Sequence, residues 1–392
     1  MTAPPTTKAP VPEARTPFYR NVKVLAWAFQ VTVFFVVLAF LLWLWSNYLT
    51  NTANSGIPTN FDFLSNPASF AIPGAEFDSN ESVRNAYVIG LMNTIRISIV
   101  GIILATILGT LIGIGRLSKN WIVRKLSTVY VEAIRNTPLL VIMTFTFLGV
   151  VLQVMPTIEE AWNLGFIIVS NRGIGVPWYS EVSGAALFAV VALAFVGWWA
   201  VAKWRHGVSE RTGELARVGL YGGLTFLLIW IVGWWLIGPT FTLPMIDGRQ
   251  LEGGIRIDPS YFSVLIALVI YTASQIAEIV RGSIQAVPVG QGEAASALAL
   301  SGFQRMSLIV LPQAMRIAIP PLGNQYLNLI KNSSLGAAFA YFELTNVTQI
   351  TVGNGSPAVP AFFLALVFYV ALSFITSAFV NLANRRFKLV ER

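Results

Sequence analysis

The stretch NTIRISIVGIILATILGTLIGIGR, residues 93–116, carries no charge between Arg96 and Arg116. It ends an apolar run over 87–115 that exceeds the roughly 20 residues a helix needs to cross hydrocarbon. Gly101, Ala105, Gly109 and Gly113 recur at every fourth position, which aligns four small residues on one helix face and lets a neighbouring helix approach closely. A membrane helix built for tight packing is the first expectation.

Working outward, seven further runs meet the same standard: 24–49, 129–155, 183–204, 217–238, 260–284, 322–345 and 358–383. The fold class expected is therefore all-α, a polytopic bundle of about eight transmembrane helices. Composition agrees, with 55% hydrophobic and only 11% charged residues, against about 25% charged in soluble domains. The net charge of +8 reflects basic loops rather than nucleic-acid binding, since no basic stripe is interleaved with aromatics. There is no cysteine, and His206 is the single histidine, so neither a disulfide framework nor a histidine-cluster metal site is expected.

The loops alternate in charge. Residues 50–86 hold Asp62, Glu76, Asp78 and Glu81 with Arg84 as the lone base, whereas 116–125 hold Arg116, Lys119, Arg124 and Lys125, and the 203–217 loop and C-terminal RRFKLVER are also basic. An even span count with basic segments on one side places both termini in the cytoplasm. Residues 1–23 read as a cytoplasmic tail, 24–49 as an uncleaved first span, and 50–86 as a periplasmic loop. Long connections at 50–86 and 156–255 offer surfaces for a periplasmic partner.

Between two spans lies EAASALALSGFQRMSLIVLP, residues 293–312. Pro288, Gly290 and Gly292 are expected to break the preceding span. Glu293 then falls in the first turn of a new helix, alanines supply helix propensity and a smooth surface, Gly302 interrupts, and Pro312 stops the second piece. The product is a short cytoplasmic helix–turn–helix suited to a groove on another protein, because an interfacial lipid-lying helix would carry basic and bulky apolar faces instead.

Here the sequence resembles a family. Glu293, Ala294 and Ala295, followed by Ile309, Leu311 and Pro312, match the signature of membrane subunits of ATP-binding-cassette (ABC) importers. Ala299 stands where that signature has glycine, with Gly302 three residues later. NTIRIS (93–98), RNTPLLV (135–141), AEIVRGSIQAVP (277–288), GQGEAA (290–295), PPLGNQ (320–325) and LIKNSSL (329–335) are similar to polar amino-acid permeases. The resemblance covers 84–155 and 256–390. An extra first span and an insertion at 156–255 with two more spans look like the general L-amino-acid importers of Gram-negative inner membranes.

The resemblance implies a permease core in two parts, 87–155 and 256–392, the latter containing a coupling segment at 288–312. It also implies a cytoplasmic ABC ATPase dimer docked on that segment, a second and different permease subunit, a periplasmic amino-acid-binding protein and surrounding lipid. ATP and Mg are then bound by the partner ATPase, and this chain holds no cofactor, metal or catalytic residue. No G-x-x-x-x-G-K-[ST] occurs, so the phosphate-cradling loop is missing. An ion-coupled secondary transporter is the alternative, disfavoured by the lack of a visible inverted repeat. Glu278 and Arg281, three apart, are expected to form a structural ion pair. Candidates for the translocation path are Lys331, Asn332, Ser333 and Ser334, because ionisable groups in an apolar span face protein or a water-filled cavity, together with Asn136 and Thr137.

Overall fold

A computed structural model describes residues 17–75, 77–180, 184–212, 217–238 and 240–387. Most of the expected N-terminal tail, together with Glu76 and the end of the basic C-terminal segment, lies outside the described residues. Two compact units divide the chain, 1–61 with 357–360, and 62–356 with 361–392.

The first unit is built on α1 (Val22–Asn54), whose N-terminus is capped by Asn21 accepting from the Lys23 amide. Its central apolar window has no buried residue. A helix that is apolar all round suits a lipid environment.

In the second unit a loop over 62–82 leads into α2 (Val83–Gly115), capped by Ser82. Then come α3 (Trp121–Arg135) and α4 (Leu139–Thr144), the latter continuing as a π-helical run to Val154. Four short strands follow: β1 (Trp162–Asn163), β2 (Ile168–Ser170), β3 (Gly173–Val176) and β4 (Trp178–Ser180). Helices α5 (Gly184–Thr212) and α6 (Val218–Ile237) come next, then β5 (Thr240–Thr242), β6 (Met245–Asp247), β7 (Gln250–Glu252) and β8 (Ile255–Ile257). The chain continues with α7 (Pro259–Gln285), α8 (Val289–Ala297), α9 (Gly302–Gln304), α10 (Leu311–Asn332), α11 (Leu344–Gly353) and α12 (Ala358–Phe387).

Among the described residues, seven helices are long and apolar enough to span a membrane, or eight if α3 and the α4 run form one broken span. That pair corrects the continuous helix expected over 129–155: the two limbs meet at 105°. The cause is local. Pro138 disfavours helical backbone at Thr137, and Asn136 closes α3.

The small-residue face packs as its spacing requires. Gly101, Ala105, Gly109 and Gly113 are all buried. A Cβ at Gly109 would lie 2.7 Å from Ile276 and 2.8 Å from the Ala273 carbonyl, and one at Gly113 would lie 2.7 Å from the Ala277 carbonyl. Residues further along α2 meet residues further along α7, so the two helices run parallel. Around this seam Ile97, Met143, Val264 and Leu268 form a buried core joining α2, α4 and α7. A second core packs Phe63, Ile72 and Phe77 of the long loop against Tyr87, Leu344 and Val347. The 62–82 loop is thus folded into the protein through its apolar residues.

The insertion forms two structures. Strands β1, β2, β3 and β8 pair antiparallel in that order, and β5 and β7 close two further ribbons with β4 and β6. Helices α5 and α6 pack along one another, Gly222 receiving Trp198 and Gly233 receiving Val190. Strand β8 straddles the expected boundary at 255, and Ile174 pairs with Ile257, so the insertion is stapled to the start of α7.

The segment after α7 departs from expectation in four ways. α8 begins at Val289 directly after Pro288, so Gly290 and Gly292 lie inside a helix and Glu293 sits in its second turn. The helix-dipole argument for Glu293 therefore fails. The turn falls at Ala299, whose φ is +55°, a left-handed conformation costly for a residue with a Cβ. Gly302 does not interrupt but opens the next helix, behind a capping box of Ser301 and Gln304. Nor does Pro312 stop it: one helical path runs from Gly302 to Phe339, replacing the span expected at 322–345. A π segment, Arg305–Val310, precedes the proline, and its altered hydrogen-bond register accommodates the missing amide without ending the helical path.

Candidate functional site

A cavity of about 190 Å³ opens where α2, the start of α7 and the link before α11 converge. Asn93, Arg96, Asp258, Tyr261, Tyr341 and Phe342 supply its chemistry. Arg96 stands with its guanidinium 5.1 Å from the centre of the Tyr261 ring, and Tyr261 lies 5.6 Å from the Tyr341 ring. Asp258 caps α7, its Oδ1 accepting from the Ser260 amide at 2.8 Å. Neither Arg96 nor Asp258 makes an ion pair among the described residues. A cation and an anion, each lacking its counter-charge, thus line one small space. Both act electrostatically on the buried Tyr341 hydroxyl, which burial pushes well above the usual phenol range.

The far wall is pinned to α2. The Tyr341 hydroxyl donates to the Asn93 carbonyl at 2.9 Å, the Asn93 amide donates to the Phe342 carbonyl at 2.8 Å, and the Leu344 amide donates to Thr94 at 3.1 Å. Sequence reasoning missed Arg96 and Asp258. For Arg96 a signal existed, since it is an ionisable residue inside an apolar run.

The expected pair of Glu278 and Arg281 is present, with Arg281 Nη2 donating to Glu278 at 2.5 Å, but the cluster is larger. Arg116 also binds the Glu278 carboxylate, and Arg135 lies 3.7 Å from it. Arg116 caps the C-terminus of α2 and Arg135 ends α3, positions where a cation complements the helix dipole. One carboxylate therefore ties together the ends of α2 and α3 and the body of α7.

In the segment resembling the importer signature, Ala295 is buried and Glu293, Ala294 and Ala299 are exposed. Arg305 donates to Ser296 at 3.1 Å, bridging the two limbs of the turn. The apolar tips Leu298 and Phe303 are 76% and 81% exposed. The importer signature did not single these two residues out. Gly302 is exposed at the turn, Ile309 is half-buried, and Leu311 and Pro312 enter α10.

None of the six expected pathway residues lines the cavity. Ser333 is buried with its hydroxyl donating to the Ile330 carbonyl, and Ser334 donates to the Lys331 carbonyl, so both close the end of α10. Asn332 is half-buried, and Lys331 is exposed and makes no ion pair among the described residues. Asn136 and Thr137 sit at the break between α3 and α4, Thr137 donating to the Ala133 carbonyl.

A family model described as binding-protein-dependent transport system inner membrane component matches residues 222–389. The general L-amino acid transport system permease protein AapQ of Rhizobium johnstonii is 38% identical over 387 residues, covering 96% of this chain and 94% of that protein. The glutamate/glutamine/aspartate/asparagine transport system permease protein BztB of Rhodobacter capsulatus is 35% identical over 402 residues, covering 93% of each. Among solved structures, a chain of an amino acid ABC transporter determined with histidines overlays with a TM-score of 0.47 at 17% identity, covering 77% of this chain and 94% of that one.

Proposed function

Because the chain belongs to the binding-protein-dependent transport inner membrane components and is a permease subunit of an ABC amino-acid importer, we propose that it passes L-amino acids through the cavity between Arg96 and Asp258. In this family the subunit is a multi-pass protein of the inner membrane, ATP hydrolysis belongs to a partner subunit, and a binding protein completes the complex. Family membership also sets aside the ion-coupled alternative. The observation that carries the proposal is the unpaired cation and anion lining one small cavity. An amino acid presents an α-carboxylate and an α-amine, and these are the charges Arg96 and Asp258 would pair. The cavity is smaller than the roughly 300–1,000 Å³ typical of drug-sized ligands, which suits a single amino acid.

The test is uptake by the reconstituted complex with Arg96→Gln. A charge-assisted hydrogen bond contributes about 1.5 kcal/mol or more, so KM for uptake should rise roughly tenfold while ATPase binding is unchanged. An unaltered KM would overturn the assignment.

The proposed sidedness puts the basic loops, both termini and the 288–312 segment in the cytoplasm, following the Lys and Arg distribution. There Glu293, with Leu298 and Phe303 at the tip of the turn, would meet the ATPase. Glu293→Lys should weaken ATPase association by one to two decades, the loss of one charge-assisted contact of roughly 1.5–3 kcal/mol, with membrane insertion intact because the side chain is exposed. Normal pull-down and normal uptake would remove this role. We further propose a second, non-identical permease subunit as the membrane partner and Lys331 as a pathway residue facing it. Co-purification of two different permease chains checks the first, and an unchanged uptake rate in Lys331→Met would refute the second.

A further inference from the structure

Glu343 is fully buried, at 0% exposure. No Lys, Arg or His pairs with it among the described residues. A carboxyl group so placed is costly unless hydrogen bonds compensate. Donors from Thr345, Asn346 and Tyr369 converge on it. The Asn346 amide donates to Oε1 at 2.8 Å, and the Tyr369 hydroxyl donates to Oε2 at 2.5 Å. That hydroxyl also lies 3.0 Å from Thr345. Burial pushes the Glu343 carboxyl up, and hydrogen bonds from Thr345, Tyr369 and Asn346 oppose the shift.

Residue 343 is the N-cap of α11. Ser, Thr, Asp and Asn are the usual N-caps, since a short side chain suffices to meet the first amides. Glutamate is longer than capping requires, and its second oxygen reaches across to Tyr369 on α12. The same residue ends the cavity wall. Ala340, Tyr341 and Phe342 line the cavity, Ala340 turning the chain with φ +53°. In front, Tyr341 and Phe342 are fixed to Asn93 of α2. Glu343 fixes the rear of the same four-residue link to α11 and α12.

We propose that Glu343 is a positioning residue of the amino-acid cavity, holding the Tyr341–Phe342 wall in its binding geometry by bonding the N-terminus of α11 and Tyr369 of α12 at once. The proposal rests on the reading that this cavity receives the substrate. It assigns no proton transfer and no contact with substrate to Glu343.

Two variants separate positioning from simple helix capping. Tyr369→Phe removes one hydroxyl and preserves the ring packing. Glu343→Asp keeps a good N-cap but withdraws the carboxylate from Tyr369. Both are made in the full importer complex, and KM and maximal rate of amino-acid uptake are measured beside thermal stability. The expected result is a rise in KM of about fivefold for each, the loss of one buried hydrogen bond, with little change in maximal rate. The double variant should show no further rise, because the two residues act through one bond. If both single variants keep the original KM while only Glu343→Ala loses thermal stability, the residue is a cap alone and the proposal is overturned. Independent, additive rises in KM would overturn it as well. Arg96→Gln distinguishes the two levels: an altered KM there with unaltered KM in Tyr369→Phe sinks the positioning role and leaves the cavity assignment standing, whereas an unaltered KM in Arg96→Gln removes the cavity assignment itself.

Discussion

Gly109→Leu is expected to abolish the folded permease. Even a Cβ at that position would lie 2.7 Å from Ile276 and 2.8 Å from the Ala273 carbonyl. The first obstacle is a side chain and could shift, but the second is backbone and moves only with α7 itself. Overpacking usually costs about 1–3 kcal/mol and sometimes more, and here the added isobutyl group must force two membrane helices apart. The loss reaches beyond one contact, because α7 is the most enclosed span, with 61% of its central window buried. Gly223→Leu in α6 is the matched control, since no atom lies within 4 Å of a Cβ there. Monodispersity in detergent and protease resistance should fail for Gly109→Leu and persist for Gly223→Leu. Equal behaviour of the two would mean that α2 and α7 are not held at the close approach described.

Glu278→Ala carries the second large effect. It leaves Arg116, Arg135 and Arg281 gathered without a counter-charge, and the Nε atoms of Arg116 and Arg281 are already buried without a partner. Breaking a buried ion pair from one side costs roughly 3–5 kcal/mol. Glu278 retains 28% side-chain exposure, so solvent screening moves the expected loss to the bottom of that range or below, about 2–3 kcal/mol. Glu278→Gln keeps a hydrogen-bond acceptor and should lose less. Thermal unfolding of the detergent-solubilised complex measures both. Adding Arg116→Met to Glu278→Ala should recover part of the stability by removing one of the repelling charges. A Glu278→Ala protein as stable as the original would show that water already neutralises the cluster.

The two results address different kinds of information in the chain. The four-residue rhythm of Gly101, Ala105, Gly109 and Gly113 is local, because helix geometry alone puts those residues on one face. Its function as a packing surface could therefore be read without knowing the partner, and the structure supplies α7 as that partner. Span length and loop charge are equally local, and most of the membrane helices follow from them. The Glu278–Arg281 pair is likewise a matter of spacing along one helix. Arg116 and Arg135 reach the same carboxylate only because α2 and α3 end beside α7.

Where local rules compete, the sequence reading went astray. The span α7 ends at Gln285, before Pro288, as expected, yet Gly290 and Gly292 lie inside the next helix. Pro312 read as a stop, yet a π segment before it lets the helix continue. Gly302 is expected to interrupt the segment, while the left-handed turn falls on Ala299, the position where the importer signature has glycine.

By itself, then, the sequence determined the membrane class, the approximate places of most spans and the packing face of α2. Each depends on residues within a few turns of one another. The cavity was decided only by tertiary structure. Arg96 lies on α2 and Asp258 caps α7, and the wall between them is pinned by a bond from Tyr341 to Asn93, 248 residues apart. No periodicity records such a meeting, because the free energy that brings those residues together comes from burying the whole α2–α7 seam and not from any signal in their own neighbourhoods.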